Sequence, residues 1–198
     1  MDDAAAVFRD AVEAFVPAEA AALERLLGCM RRRTVEAGQH VLRAGERATE
    51  VHLVLDGLLR EYYLLDDGTE RTKSFVIEGQ FAGSLPDLLS GRVARAHIVA
   101  GGTTTLLVGD FDELTARASE HPSTRGFVAE VLRRLLITKA DREYELLALD
   151  AEGRYEAFSR RFPDLEGRIP ARHIASYIGI TPVHLSRVRR SRRGRSTP

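Results

Sequence analysis

The chain has 198 residues, 44% of them apolar, and its 29 Lys and Arg balance 29 Asp and Glu, so the formal charge is zero. That length suits one or two domains of about 100–150 residues with buried cores, which excludes wholesale disorder. With the acidic start Met1-Asp2-Asp3 and a longest uncharged stretch of only residues 96–109, no export or membrane segment is expected, while a lone Cys29 allows no internal disulfide and cannot by itself hold zinc or an iron–sulfur cluster. A reducing cytoplasm is expected.

Residues 4–27 are rich in Ala and Leu, with Phe8, Val12 and Phe15 on one helical side and Pro17 opening a second short helix up to Gly28. These read as packing helices without chemistry. From Thr34 to Gly109 glycines recur between short apolar runs such as residues 51–55 and 58–65, the texture of a β sandwich or barrel. Asp66-Asp67-Gly68 lies between Tyr62-Tyr63-Leu64-Leu65 and the strand-like run 72–77, and its Asp-Gly dipeptide is a strong hairpin signal. The segment reads as a β-roll.

Asp110 followed by Glu113 has the form of a capping box and starts a helix through Ala118 that ends before Pro122. A long helix is predicted from about Thr124 to Leu149, roughly 39 Å in length. Its apolar pairs fall at Phe127/Val128, Val131/Leu132 and Leu135/Leu136, then continue through Ala140, Tyr144 and Leu147. A stripe two residues wide can pack one edge on the roll and the other on a second copy of the helix; the alternative is burial within one chain. Asp150 then caps a helix over residues 151–161 that Pro163 stops. The expected domains are 1–122 (roll with N-terminal helices), 123–149 (long dimerisation helix) and 150–198 (helix-turn-helix with a basic tail).

Every acidic residue lies at or before Glu166, so residues 167–198, with eight arginines, carry +8 and the preceding part carries −8. A basic block of this kind is a footprint for polyanions, or else a solvated tail. Residues 171–188 within it have helix-turn-helix spacing. Ile174 and Ile178 form the inner face of a first helix, Ala175 is small where two helices touch, and Gly179 supplies a positive-φ turn. Ile180 plugs the corner, and Leu185 and Val188 complete the core. Thr181 is a natural N-cap with Pro182 at the first helical position. The outward residues are then Val183, His184, Ser186, Arg187 and Arg190. In such motifs the second helix enters the major groove of double-stranded DNA. Arg187 is the leading base reader, because a guanidinium can bond O6 and N7 of guanine together. His184 and Ser186 are secondary readers; Arg172, Arg189 and Arg190 are expected on phosphates, which add affinity without sequence reading.

A β-roll, a long helix and a C-terminal helix-turn-helix resemble the Crp–Fnr superfamily of bacterial transcription regulators over nearly the whole chain. The likeness is carried by Gly79-Gln80-Phe81-Ala82-Gly83-Ser84-Leu85 through Ala96 and, more specifically, by residues 174–188. It implies an α+β fold with an N-terminal antiparallel β-roll (jelly roll), flanking helices, a long dimerisation helix joined through Phe127, Val128, Val131, Leu132, Leu135 and Leu136, and a small helical DNA-binding domain. It further implies a homodimer on a two-fold-related operator, with RNA polymerase as a partner. Members that bind cyclic AMP carry a Glu and an adjacent Arg-Ser in the roll; here the matching segment offers Gly83, Ser84, Leu85, Ala94 and Arg95, and the phosphate clamp is missing. An arginine moved one place along a strand points to the opposite face, so Arg95 is a poor substitute at Ala94. Cyclic AMP is therefore not expected; no cofactor is assigned, and an unidentified small effector remains open. Family members commonly continue into a β-hairpin wing, whereas Ser191 to Pro198 reads here as a flexible basic tail.

Two rivals differ in class. An enzyme of cupin type needs clustered metal ligands, but His40, His52, His97, His121, His173 and His184 are scattered, and no nucleophile elbow, P-loop or His-Glu-x-x-His pattern occurs. No enzyme is expected. The other rival is a ligand-sensing roll that acts through protein or membrane contacts instead of specific DNA binding.

Overall fold

The computed structural model describes residues 3–195, with side chains to residue 192. Two helices, α1 (Asp3–Glu13) and α2 (Ala20–Leu27), lead into strands β1 (Met30–Val35), β2 (His40–Leu42), β3 (Glu50–Asp56), β4 (Leu58–Leu64), β5 (Glu70–Ile77) and β6 (Phe81–Ala82). A short helix α3 (Leu85–Ser90) precedes β7 (His97–Ala100) and β8 (Thr104–Asp110). The rest is helical: α4 (Phe111–Glu120), α5 (Phe127–Ala148), α6 (Ala151–Arg161), α7 (Ala171–Ile178) and α8 (Pro182–Arg195), with a 3-10 turn at Leu165–Gly167. Among the described residues no helix is long and apolar enough to cross a membrane.

The strands form two four-stranded antiparallel sheets, ordered β1-β8-β3-β6 and β2-β7-β4-β5. Alternation along the strands sends one set of side chains between the sheets, where Val54, Leu59, Val76, Ile98, Leu106 and Val108 make the roll interior. The opposite set is not solvated. Leu53 and Leu107 face α1, α2 and α4 in a second core with Phe8, Leu26 and Leu114. Leu58 and Phe75, on the outer face of the other sheet, join Phe158, Ile174, Ile178 and Leu185 of the C-terminal helices. Burial on both faces explains why β3 and β8 read as nearly continuous apolar runs.

Turn chemistry fixes the register. Gly68, at φ 80°, closes the β4–β5 hairpin with Asp67 Oδ1 accepting from the Thr69 amide at 2.8 Å. Gly57, at φ 90°, joins β3 to β4 where an added Cβ would sit 2.7 Å from the Thr103 carbonyl oxygen. Asp110 caps α4, accepting from the Glu113 amide at 3.0 Å, and Asp150 caps α6, accepting from the Gly153 amide at 2.8 Å.

Four expectations are corrected. Helix α2 begins at Ala20, since Glu19, with φ −75° and ψ 146°, is extended and serves as the cap position. Helix α4 runs on to Glu120, beyond Ala118. The long helix starts at Phe127, because Thr124, fully buried, donates its hydroxyl to the Ala118 carbonyl at 2.8 Å and holds a turn there. The basic segment from Ser191 is helical through Arg195 rather than a flexible tail, as α8 propagates past its packed part; residues 196–198 lie outside the described residues.

Candidate nucleic-acid interface

Helix α7 ends at Gly179 with φ 75°, and the Ile180 amide reaches back to the Ala175 carbonyl at 2.9 Å. This left-handed cap turns the chain, and α8 starts within three residues. Thr181 Oγ1 accepts from the His184 amide at 3.2 Å, as an N-cap does. Ile174, Ala175, Ile178 and Leu185 are all at 0% exposure, so the two helices meet through the small Ala175 and a closed apolar seam. Tyr177 extends that seam onto Phe75 of β5 and Phe158 of α6, with ring centroids 5.6 and 5.7 Å away.

With one side of α8 fixed in the core, the other faces solvent. Thr181, Val183, His184, Ser186, Arg187 and Arg190 are exposed. Arg187 makes no ion pair among the described residues. Arg189 does not share that face. Its guanidinium is 2.5 Å from Glu166, which also accepts the Tyr155 hydroxyl at 2.6 Å, so the expected phosphate contact is a structural ion pair instead. Arg192 likewise turns toward Glu156 and the Tyr155 ring. Spacing held the signal: positions 185, 188, 189 and 192 lie on one helical face. Arg172 is exposed at the start of α7, with no ion pair among the described residues, and lies toward the roll.

In the long helix, Phe127 is 6% exposed and packs on Phe15 and Phe81, and Val128 and Val131 lean on the same core. Phe127 is therefore corrected from a partner-facing role to an internal one, and Val128 and Val131 are partly covered by the same core. Leu132 and Leu135 are half-buried. The uncovered apolar surface lies further along, at Leu136 (71% exposed), Ile137, Tyr144 and Leu147 (80% exposed).

The roll segment expected to hold a ligand is filled by its own side chains, although Asp87 Oδ1 is buried without a hydrogen-bond partner. Ser84 is buried and donates its hydroxyl to Asp87 Oδ2 at 2.6 Å. Gly83 lies against Val51 and Leu88, Leu85 opens α3, and Ala94 is buried. The Arg95 side chain is largely exposed, with its Nε 4.0 Å from Asp87. A buried carboxylate here repels a phosphate, the Arg95 cation beside it stays in solvent, and the nearby Lys73 ammonium is taken by Glu61. These residues do not fit a cyclic phosphate. Deeper in the sheet, Lys73 pairs with Glu61 at 2.7 Å. Burial pulls the Lys73 ammonium down but the Glu61 carboxylate outweighs it, leaving the group above its ordinary value.

A cleft of about 680 Å³ instead lies between the outer face of β4–β5 and the helix-turn-helix. Arg60, 7% exposed, stands in it over the Tyr62 ring at 4.2 Å and donates to Glu70 at 2.6 Å. Tyr62 in turn meets His40 Nε2 at 3.0 Å and stacks on His97. From α7 come Arg172, His173 and Ser176. Burial, Arg60 and Arg172 push the His173 imidazole down to about 4. Sequence reasoning missed this group, although a charged pair, Arg60-Glu61, inside the apolar run 58–65 breaks the strand's pattern and was the available signal.

A β-roll, a long helix and a helix-turn-helix with outward arginines make up the architecture of this chain. Residues 32–121 match the family described as "Cyclic nucleotide-binding domain". The chain is 22% identical over 169 residues to the fumarate and nitrate reduction regulatory protein of Yersinia pestis, covering 80% of this chain and 67% of that protein. Among solved structures it is similar to FixK2 from Bradyrhizobium japonicum, with TM-score 0.70, 22% identity and coverage of 84% and 85% of the two chains. The c-di-GMP-responsive global regulator CLP of Xanthomonas campestris gives TM-score 0.70 at 17% identity, covering 89% and 92%. The likeness of fold to these structures thus extends over most of the chain.

Proposed function

We propose that the chain is a DNA-binding transcription regulator that acts as a homodimer and reads a two-fold-related operator with α8. One observation carries this reading: every polar residue on the outer side of the first two turns of α8, Arg187 included, is exposed and points away from a core that fixes the helix. Arg187 reads a base edge, His184 and Ser186 contact neighbouring positions, and Arg190 grips phosphate. The uncovered stripe Leu136, Ile137, Tyr144 and Leu147 pairs with its copy, setting the two recognition helices about 34 Å apart on half-sites one turn apart. The protein works in the cytoplasm and performs no catalysis itself.

Selection of bound fragments from the source genome tests the reading. Enrichment of a palindromic site, with affinity that falls steeply with salt, supports it; weak, sequence-blind retention overturns it.

A further inference from the structure

We infer that the cleft between the β4–β5 face and the helix-turn-helix is a binding site for a small organic monocarboxylate with an apolar body. This goes beyond the DNA-binding reading and does not depend on it. The volume of about 680 Å³ falls within the range of about 300–1,000 Å³ typical of small-molecule sites. On the sheet side Arg60 stands among Leu58 of its own strand and its cross-strand neighbours Phe75 and Val99, and on the C-terminal side Arg172 follows Ile169, so each arginine has apolar residues beside it.

Charge selects the head group. Arg60 is compensated by Glu70 at 2.6 Å, whereas Arg172 has no carboxylate partner among the described residues, so one positive charge is left over and suits a monoanion. Helix α7 opens beside Arg172 at Pro170 with no side chain capping its first-turn amides, which adds a second anion-favouring element. Hydrogen-bonding capacity selects the body. The Ser176 hydroxyl already accepts from the Thr72 amide at 2.8 Å and donates to the Glu70 carbonyl at 3.0 Å. The Tyr62 hydroxyl is engaged by His40, and Glu70 is engaged by Arg60. With these groups committed, the polyhydroxylated body of a sugar phosphate finds few partners, while a hydrocarbon chain or ring finds Leu58, Phe75, Val99 and Ile169 in the lining.

The test is calorimetric titration of the full chain, without DNA, against a series of aliphatic and aromatic monocarboxylates. Each acid is matched with its primary amide, and cyclic AMP serves as a phosphodiester comparison. Wild type and Arg172→Ala are compared; Arg172 is exposed, so the variant folds, as a circular dichroism melt verifies. Saturable binding of at least one acid is expected, with the matching amide and the Arg172→Ala variant each weaker by ~10-fold or more. Absence of binding by every acid, amides that bind as well as acids, undiminished affinity in Arg172→Ala, or binding of the phosphodiester alone overturns the assignment. Because no DNA is present, failure here leaves the operator reading standing, and failure of the operator selection leaves this site standing.

Discussion

Two arginines two positions apart on one helix have opposite fates. Arg187 lies a half-turn from Leu185 and is carried into solvent, while Arg189, four residues from Leu185, is drawn in against Glu166. Arg187→Ala is therefore expected to leave the melting temperature and the dimer intact while reducing operator affinity by ~5- to 150-fold, the equivalent of a lost bidentate base contact; a gel-shift titration with specific and scrambled duplexes reads this. Arg189→Ala should do the reverse. It lowers the melting temperature by a few degrees, consistent with about 1 kcal/mol for a partly exposed ion pair, and leaves the preference between the two duplexes unchanged.

At the scale of the element, α5 divides along its length. Its first turns belong to the chain's own core through Phe127, its last turn holds the buried Glu145, and Leu136, Tyr144 and Leu147 between and beside them are largely exposed. Burying a leucine contributes about 1.5–3 kcal/mol, and a charge in its place reverses the gain. Leu136→Glu is expected to shift the protein to monomer in sedimentation experiments and to abolish cooperative operator binding, with the monomer's far-ultraviolet spectrum unchanged. Glu145 joins α5 to the C-terminal helices, contacting Arg142 at 2.9 Å and Arg161 at 2.8 Å, and Arg161 also donates to the Tyr177 hydroxyl at 2.7 Å. Glu145→Ala removes the carboxylate that both poorly hydrated arginines bond, so a loss on the order of 3 kcal/mol in urea unfolding is expected.

Across the whole molecule, the roll and the helix-turn-helix are packed together rather than strung apart. Arg168 holds Glu78 through two bonds at 2.6 and 2.9 Å and the Gly57 carbonyl at 3.0 Å, and Ser176 bonds β5. His173 sits in this contact facing Arg60, Arg172 and Glu70, with its pKa lowered to about 4 against an ordinary value of 6.5. The unfolded chain thus binds a proton that the fold refuses. The contribution of His173 is full above about pH 6.5 and is lost as pH falls toward about 4. Chemical denaturation at neutral pH and at about pH 5 should show this loss, and His173→Gln should reduce it. His40, lowered mainly by burial, contributes in the same direction, so some acid sensitivity remains in the variant. An unchanged pH dependence in His173→Gln removes the assignment.

Local patterns determined much of this protein. The Asp-Gly hairpin at residues 66–68, the caps Asp110 and Asp150, the αL glycine at 179 and the apolar spacing of residues 174–188 are each set by interactions within a few positions of the chain, which is why they were legible without coordinates. Only the tertiary structure decided which arginines face out, where α5 stops belonging to its own core, and that the Arg60, Tyr62 and His173 groups share a cleft. Those outcomes depend on pairings such as Glu166 with Arg189 and Glu70 with Arg60 and α7. The competition among such pairings for burial and charge is settled by the packed whole, and no window along the sequence contains it.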